Sequence, residues 1–196
     1  MRGGRVFRER VARAARRMWE LGLVVGSSGN VSLRAGGVIY ITPSGVPYAH
    51  LRPKMVVAID PDGNVLSGAG EPSSEWRMHV LIYRELPVVR AIVHTHSPYA
   101  TAVAGGSLCP ASDEGRLLFG EGIPVSRHAP PGTWELARAA VEALRRGKGA
   151  CLLAHHGTVT VGGTLTEALL RAEALEGVAR VSLLGLSLIH ISEPTR

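Results

Sequence analysis

The sequence predicts one layered domain that mixes helices and strands, of the α/β or α+β class. Segments with apolar residues at spacings of three and four alternate along the chain with short apolar β segments. The 196 residues are 45% hydrophobic, which is enough for one core, and no repeat, linker or charge run divides them. We therefore expect a single domain over residues 1–185.

The first half of the chain is predicted to be a helix followed by short strands. Apolar side chains recur at helical spacing over residues 6–21, and Gly22 is a natural stop. Ser73 or Ser74 is then predicted to cap a helix that runs to about residue 84. The β segments between these helices are expected at residues 31–33, 38–41, 56–59 and 65–66.

The second half continues the alternation. Thr164 and Glu167 form a capping box, in which the Thr164 hydroxyl accepts from a backbone amide while Glu167 returns the bond, and the helix after it should end near residue 184. The elements expected before it are a strand at 88–94, a short helix at 100–104, a long helix from about residue 133 and strand material over 149–161.

The end of the chain, residues 186–196, is set aside. It is similar to the translation of a common sequencing-adaptor sequence, and the preceding helix runs into it without a cap or a turn. We expect this tail to be non-native, so His190 is not counted among the candidate ligands.

Composition narrows the classes of function. The formal net charge is +6, but the arginines are spread along helical segments, so nucleic acid is not the expected partner. No apolar run approaches the roughly 20 residues of a membrane span, and no secretory signal is visible. Because Cys109 and Cys151 are the only cysteines, we expect reduced thiols and a cytoplasmic protein.

Three histidines and one glutamate predict a catalytic metal site. His94 and His96 stand at i and i+2 at the end of an apolar strand, so both side chains point to the same side of a sheet. His156 and Glu75 would complete a set of three nitrogens and one oxygen suited to zinc. A carboxylate ligand can leave the metal when substrate arrives and then act as a base, which indicates catalysis.

Each of these residues also has an ordinary structural explanation. A lone histidine at a strand end is more often a polar residue than a ligand, and a glutamate in the first turn of a helix often interacts only with the helix dipole. In the double histidine, His156 is preferred because it precedes Gly157, and His155 would point to the other side. We expect His79, one turn after Glu75, to pack against the site or support it.

Three turns rich in glycine and serine predict a phosphate site. They combine backbone amides with hydroxyls, and one of them opens a helix, whose N-terminus favours anions. None matches a nucleotide P-loop or a dinucleotide fingerprint, and each alone could be an ordinary turn. Together, beside a metal site, they indicate a small phosphorylated metabolite. The turns lie at residues 26–30, 42–45 and 73–74.

In content and order, the motifs of this chain resemble those of the class II aldolase/adducin family. The similarity runs from the first helix to residue 184 and implies a three-layer domain with a central, mainly antiparallel sheet flanked by helices. The motifs are Gly29-Asn30-Val31-Ser32, Ile41-Thr42-Pro43-Ser44-Gly45, Pro72-Ser73-Ser74-Glu75-Trp76-Arg77, Val93-His94-Thr95-His96 and His155-His156-Gly157.

The resemblance implies roles for individual residues. His94, His96 and His156 would bind one Zn²⁺ per subunit, with Glu75 as the fourth ligand at rest and as the catalytic acid/base. The implied reaction is reversible cleavage of a ketose 1-phosphate, of the L-fuculose 1-phosphate type, to dihydroxyacetone phosphate and an aldehyde such as L-lactaldehyde. The implied assembly is a homotetramer with active sites at subunit boundaries. The implied phosphate-binding residues are Ser28, Gly29, Asn30, Ser44, Gly45, Ser73 and Ser74.

The reaction and its proton donor stay open at this point. The same scaffold carries sugar-phosphate 4-epimerases of the ribulose 5-phosphate type, a methylthioribulose-1-phosphate dehydratase and non-catalytic adducin-like modules. Fuculose aldolases carry a catalytic tyrosine in the segment that corresponds to residues 110–115, and this chain has none there. The tail also replaces the region in which relatives carry a second tyrosine, which acts across the subunit boundary. We expect Glu114, or else Asp113, to donate the proton.

Overall fold

The computed structural model describes residues 2–192, with the side chains of residues 3–185. His190 and the other side chains of the tail set aside above lie outside the described residues. The helices are α1 (Arg2–Glu20), α2 (Trp76–Glu85), α3 (Pro98–Val103), α4 (Asp113–Phe119), α5 (Trp134–Arg146) and α6 (Leu165–Ser192). The strands are β1 (Asn30–Ala35), β2 (Val38–Ile41), β3 (Val57–Ile59), β4 (Val65–Ser67), β5 (Ala91–Thr95), β6 (Ala150–Leu153) and β7 (Gly157–Gly162).

The seven strands form one sheet in the order β4-β3-β2-β1-β5-β7-β6. Every pair of neighbouring strands is antiparallel. In the centre of the sheet, β1 pairs with β5 so that Asn30 lies opposite His94. The antiparallel sheet predicted from the family resemblance is therefore confirmed, and its register brings the first glycine-rich turn to the end of the histidine strand.

Helices cover both faces of the sheet, which gives the predicted three layers. Along β2, Ile39 and Ile41 pack into a cluster with α2 and α5, whereas Tyr40 packs into a second cluster with α1 and α6. This alternation follows the two-residue period of a strand. Short helices α3 and α4 pack against α6 and extend the second layer. None of the described helices is both long enough and apolar enough to cross a membrane.

The start of α2 corrects one expectation. Neither Ser73 nor Ser74 is its N-cap: the helix begins at Trp76, Glu75 is the flanking residue, and its side chain makes no capping bond. Ser73 instead accepts a hydrogen bond from the Glu75 amide at 3.3 Å. The physical reason is that the Glu75 carboxylate points away from its own helix and bonds to Asn30 and His94.

Other boundaries also differ from the sequence expectations. Residues 149–161 form two strands, β6 and β7, with the double histidine in the turn between them. Helix α4 was not expected, although Ser112 caps it by accepting from the Gly115 amide at 3.2 Å. Helix α6 continues past residue 184 to Ser192. The single-domain extent of residues 1–185 stays a prediction.

Candidate active site

The structure brings together the four residues that the sequence singled out as ligands. One nitrogen from each of His94, His96 and His156 and one oxygen of Glu75 all lie within 4.8 Å of one another. The three imidazole rings stand edge to face, with centroids 4.8 to 5.0 Å apart. Nε2 of His94 lies 2.9 Å from both Oε2 of Glu75 and Nε2 of His96. This convergence joins residues from three separate parts of the chain.

Two close backbone approaches hold these elements in place. Gly29 has a φ of +69°, and a Cβ there would lie 2.5 Å from the carbonyl oxygen of His94. A Cβ at Gly157 would collide with the Thr95 carbonyl oxygen. Both positions therefore require glycine for space, and both lie against the strand end that carries the two histidines.

The backbone fixes the orientation of the His94 ring. Nδ1 of His94 lies 2.8 Å from the carbonyl oxygen of Thr158, which can only accept, so Nδ1 carries a hydrogen. In the neutral ring Nε2 then carries a lone pair, which faces the Glu75 carboxylate and His96. A lone pair that faces an anion and a second imidazole is stable only around a proton or a metal cation.

The charges of the site are strongly coupled. Burial opposes ionisation of Glu75, but His94, His156 and Asn30 together outweigh it and hold the carboxyl pKa well below its usual value. Burial likewise disfavours the charged form of His94, but Glu75 and the Thr158 carbonyl together outweigh it and raise the His94 pKa. Burial and then repulsion from His94 lower the pKa of His96 to about 4, and the same two causes lower that of His156. At neutral pH the site thus combines a carboxylate with imidazoles that mostly favour the neutral, ligating form.

This arrangement fits a metal ion. Neutral imidazoles and a carboxylate are the donors that transition metals and zinc accept from proteins. Oε1 of Glu75 and Nδ1 of His156 are buried, and neither has a hydrogen-bond partner among the described residues. Buried polar atoms without a partner are costly, and Oε1 of Glu75 lies 3.6 Å from Nε2 of His156. The donor set and the orphaned carboxylate oxygen both indicate a cation at this point.

Two of the three predicted phosphate turns lie side by side. The Ser73 amide donates to the carbonyl oxygen of Thr42, and the Ser44 amide donates to that of Glu71, each at 3.0 Å. Ser44, Gly45 and Ser74 are exposed, whereas Ser73 is buried. The adjacent turns present hydroxyls and amides at the surface beside Glu75. The first predicted turn is closed by Ser28, whose hydroxyl donates to the Val25 carbonyl oxygen at 2.8 Å.

Asn30 differs from the other predicted phosphate ligands. Its side chain is 2% exposed, its Nδ2 donates to Oε2 of Glu75 at 3.0 Å, and its Oδ1 contacts Nε2 of His79. Only the second amide hydrogen of Asn30 is left for a phosphate. Its predicted phosphate role therefore stays a prediction, beside an observed contact with Glu75 that the sequence did not indicate.

Two further predictions fall outside the cluster. His155 is exposed, has a φ of +57° and packs its ring 6.0 Å from that of His128, so it does not join the four converging side chains. Glu114 is exposed on α4, where it lines a groove against α6 with residues such as Val178. Among the described residues Glu114 makes no contact with the four converging side chains, and its role as proton donor stays a prediction.

Sequence reasoning missed three residues around the site. The Thr158 carbonyl orients His94, and Ser32 and Tyr83 join a buried hydrogen-bond network that reaches Asn30 through His79. Ser32 had no clear signal in the sequence, because its alternation with Val31 and Leu33 is also the pattern of a solvent-facing strand position. No sequence signal identifies the Thr158 carbonyl, because every residue has one.

Comparison with known proteins agrees with this site. Residues 9–183 match the family model described as the class II aldolase and adducin N-terminal domain. The chain is 43% identical over 182 residues to a 5-methylthioribulose-1-phosphate/5-deoxyribulose-1-phosphate aldolase of Rhodospirillum rubrum, covering 91% of this chain and 81% of that protein. It is 36% identical to a 5-deoxy-D-ribulose 1-phosphate aldolase of Bacillus thuringiensis serovar kurstaki, with coverages of 89% and 83%.

Solved structures give the same result. An L-fuculose 1-phosphate aldolase superposes with a TM-score of 0.87 and 32% identity, covering 96% of this chain and 89% of that one. The family resemblance inferred from the motifs is thereby confirmed. The chain belongs to the class II aldolase and adducin family, and within it to the aldolases, which are carbon–carbon lyases.

Proposed function

We propose that this protein is a zinc-dependent aldolase that reversibly cleaves a ketose 1-phosphate to dihydroxyacetone phosphate and an aldehyde. The observation that carries the proposal is the convergence of three imidazoles and one carboxylate within 4.8 Å, with the His94 ring oriented by a backbone carbonyl. Imidazole nitrogens and carboxylate oxygens are the ligands of many catalytic zinc sites, and a carboxylate that leaves the metal would open the fourth position to substrate. An adducin-like binding module has no need of this set.

Glu75 is the proposed acid/base. Cleavage removes the proton of a hydroxyl group, breaks the carbon–carbon bond beyond it and leaves negative charge on the ketone half. Zinc, when bound, supplies the Lewis acid that stabilises this charge. Oε2 of Glu75 is held by Asn30, whereas Oε1 has no hydrogen-bond partner among the described residues. Oε1 would ligate the metal at rest and, once substrate displaces it, is the oxygen available to take the proton.

The phosphate is proposed to sit at the paired turns. The adjacent turns at residues 42–45 and 73–74 offer the exposed residues Ser44 and Ser74, and Arg77 lies in the first turn of α2. A phosphate held at these turns would orient the reacting carbons relative to Glu75, and such orientation is a large source of rate acceleration. The turn at residues 26–30 supplies the remaining proposed contacts, which are Ser28, Gly29 and Asn30.

Two substrate types are supported by named relatives. The R. rubrum protein is named for 5-methylthioribulose 1-phosphate and 5-deoxyribulose 1-phosphate, both of which are ribulose 1-phosphates altered at carbon 5, and the B. thuringiensis protein is named for 5-deoxy-D-ribulose 1-phosphate. The superposed structure is named for L-fuculose 1-phosphate. All of these are ketose 1-phosphates that share the dihydroxyacetone phosphate half and differ in the aldehyde half. We propose that 5-deoxyribulose 1-phosphate and L-fuculose 1-phosphate are the first substrates to compare.

The proposed assembly is a homotetramer with active sites at subunit boundaries. A neighbouring subunit could then supply the proton donor that this chain lacks at the family tyrosine positions. Glu114 is the alternative donor within the chain. If Glu114 donates the proton, Glu114→Gln should lower kcat for cleavage while the zinc content stays the same, and unchanged kcat would exclude it.

The test measures the release of dihydroxyacetone phosphate from both sugars by the zinc-loaded protein. A coupled reductase that consumes this product reports the rate. Product analysis in the same samples separates cleavage from epimerisation or loss of water. Glu75→Gln is the main control, and its zinc content is measured so that loss of metal is not mistaken for loss of the base. Epimer or dehydrated product without dihydroxyacetone phosphate would refute the aldolase proposal.

A further inference from the structure

A line of buried hydrogen bonds runs from the core to Glu75. The Tyr83 hydroxyl lies 2.7 Å from Oγ of Ser32, and Oγ of Ser32 lies 2.6 Å from Nδ1 of His79. Nε2 of His79 contacts Oδ1 of Asn30, and Nδ2 of Asn30 lies 3.0 Å from Oε2 of Glu75. All five residues are buried, with at most 6% of their surface exposed, so water does not compete for these contacts.

The line has a single consistent direction of donation. The Glu75 carboxylate can only accept, so the Asn30 amide must present its NH₂ group to Glu75 and its oxygen to His79. That oxygen requires a hydrogen on Nε2 of His79. A neutral His79 then has a lone pair on Nδ1, which accepts from the Ser32 hydroxyl. The Ser32 oxygen in turn accepts from Tyr83.

The surroundings keep His79 neutral. Burial, followed by repulsion from His94, lowers its pKa to about 3. Near neutral pH the ring therefore carries a single hydrogen, either on Nε2 or on Nδ1. The Asn30 oxygen on one side of the ring and the Ser32 hydroxyl on the other together favour the hydrogen on Nε2. Because every donor in the line points toward Glu75, the hydrogen bonds polarise one another in the same sense.

The end of the line treats the two oxygens of Glu75 differently. Oε2 accepts from Asn30 and lies against His94, whereas Oε1 has no hydrogen-bond partner among the described residues. We propose that His79 is a positioning residue for the acid/base chemistry of Glu75, because its Nε2–H orients the Asn30 amide that clamps Oε2 and leaves Oε1 to exchange the proton. This inference rests on the proposed role of Glu75.

A network that served only to fill the core would have other properties. It would contribute to stability whatever the tautomer of His79, and any side chain of similar volume could replace the ring. A positioning role requires a hydrogen on the side that faces Asn30. The two possibilities therefore differ in the tautomer and in the effect of replacements that keep or remove that hydrogen.

The first test is the tautomer of His79 in the metal-loaded protein. Nitrogen and carbon chemical shifts of the ring are recorded by NMR between pH 5 and 8, and His79→Gln assigns the signals. The expected result is an Nε2–H tautomer over the whole range. A hydrogen on Nδ1, or an even mixture of the two forms, would overturn the inference without reference to activity.

The second test compares His79→Gln with His79→Met in the metal-loaded enzyme. The glutamine amide can present an N–H where Nε2–H was, whereas methionine has similar bulk and no donor. We expect His79→Gln to keep kcat within about threefold of the original value. His79→Met should lower kcat about tenfold or more, because it removes a hydrogen bond from a line that ends on a charged group. The KM and the zinc content should be unchanged in both.

The outcomes separate this inference from the proposed function. Equal kcat in both variants, whether high or low, would overturn the positioning role while the original protein still cleaves its substrate. An original protein that loads zinc but cleaves no ketose 1-phosphate would overturn the proposed function and this inference with it. If His79→Met does not fold, Ser32→Ala takes its place, since it frees Nδ1 while the ring remains, and it should lower kcat and admit the second tautomer.

Discussion

Nε2 of His94 lies 2.9 Å from Oε2 of Glu75, which joins the end of the central strand β5 to the start of helix α2. The contact couples two opposite shifts, a raised pKa for the imidazole and a lowered one for the carboxyl. A metal ion and the proton of His94 therefore compete for the same lone pair. The site can hold a metal only because the sheet and helix layers meet at this point.

The double histidine offers a matched pair of substitutions. His156→Ala removes one of the converging nitrogens, whereas His155→Ala removes an exposed ring that lies against His128. We expect zinc affinity to fall by at least about a hundredfold in His156→Ala, since loss of even an outer hydrogen-bond partner costs 10–100-fold in metal sites. His155→Ala should bind zinc nearly as well as the original protein. Competition with a chromophoric chelator measures both, and equal loss in the two variants would contradict the assignment.

The close approach of Gly29 to the His94 backbone predicts a second paired effect. Gly22 and Gly29 have nearly the same φ, +70° and +69°, but a Cβ at Gly22 meets nothing within 4 Å. Gly22→Ala should therefore lose about 1–2 kcal/mol of unfolding free energy from the left-handed backbone alone. Gly29→Ala should lose more and also weaken zinc binding, because the strand end at His94 must shift. Urea unfolding measures the difference, and equal losses would argue against a spatial requirement at Gly29.

The buried His79 predicts a pH-dependent stability. Its pKa is lowered to about 3 in the folded protein, so the unfolded chain binds a proton there between about pH 3 and 6.5 and the folded protein does not. Stability therefore rises with pH through this window, by about 1.4 kcal/mol per pH unit for one proton. In metal-free His79→Gln the slope between pH 4 and 6 should be smaller by up to that amount. A slope in His79→Gln equal to that of the original protein would contradict a lowered pKa for the buried His79.

The exposed serine at the start of α2 predicts a separation of kinetic constants. If Ser74 holds the substrate phosphate, it does so equally before and during cleavage, so Ser74→Ala should raise KM about tenfold and leave kcat nearly unchanged. Inhibition by inorganic phosphate should weaken in parallel. Ser107→Ala, an exposed serine in the loop after α3, is the control. An unchanged KM in Ser74→Ala would remove Ser74 from the phosphate site.

The sequence alone predicted the parts of the fold that depend on the residue period of a helix or a strand. His94 and His96 face one side because a strand alternates, and the apolar periods located the long helices. Glu75 could be connected to them only through the family's motif order, since His94 lies 19 positions further along the chain. The antiparallel sheet then supplied the register that the motifs alone could not.

The parts that could not be predicted depend on partners far apart in the chain. Ser32 alternates with Val31 and Leu33 and resembles a solvent-facing position, but helices cover both faces of the sheet, so it is fully buried. Its bond to His79 spans 47 residues and requires the packing of α2 on β1. Glu75 resembled an ordinary residue of a first helical turn because the site, rather than the helix, takes its carboxylate.

The measurement that tests the account most directly is the recovery of aldol cleavage as zinc is added to chelator-stripped protein. Release of dihydroxyacetone phosphate from 5-deoxyribulose 1-phosphate or L-fuculose 1-phosphate is followed against the number of zinc equivalents per chain. We predict no release without metal, a linear rise, and a plateau at one equivalent that is absent in Glu75→Gln. Cleavage by the metal-free protein, or none at full zinc occupancy, would contradict a single catalytic metal held by Glu75 and the three histidines.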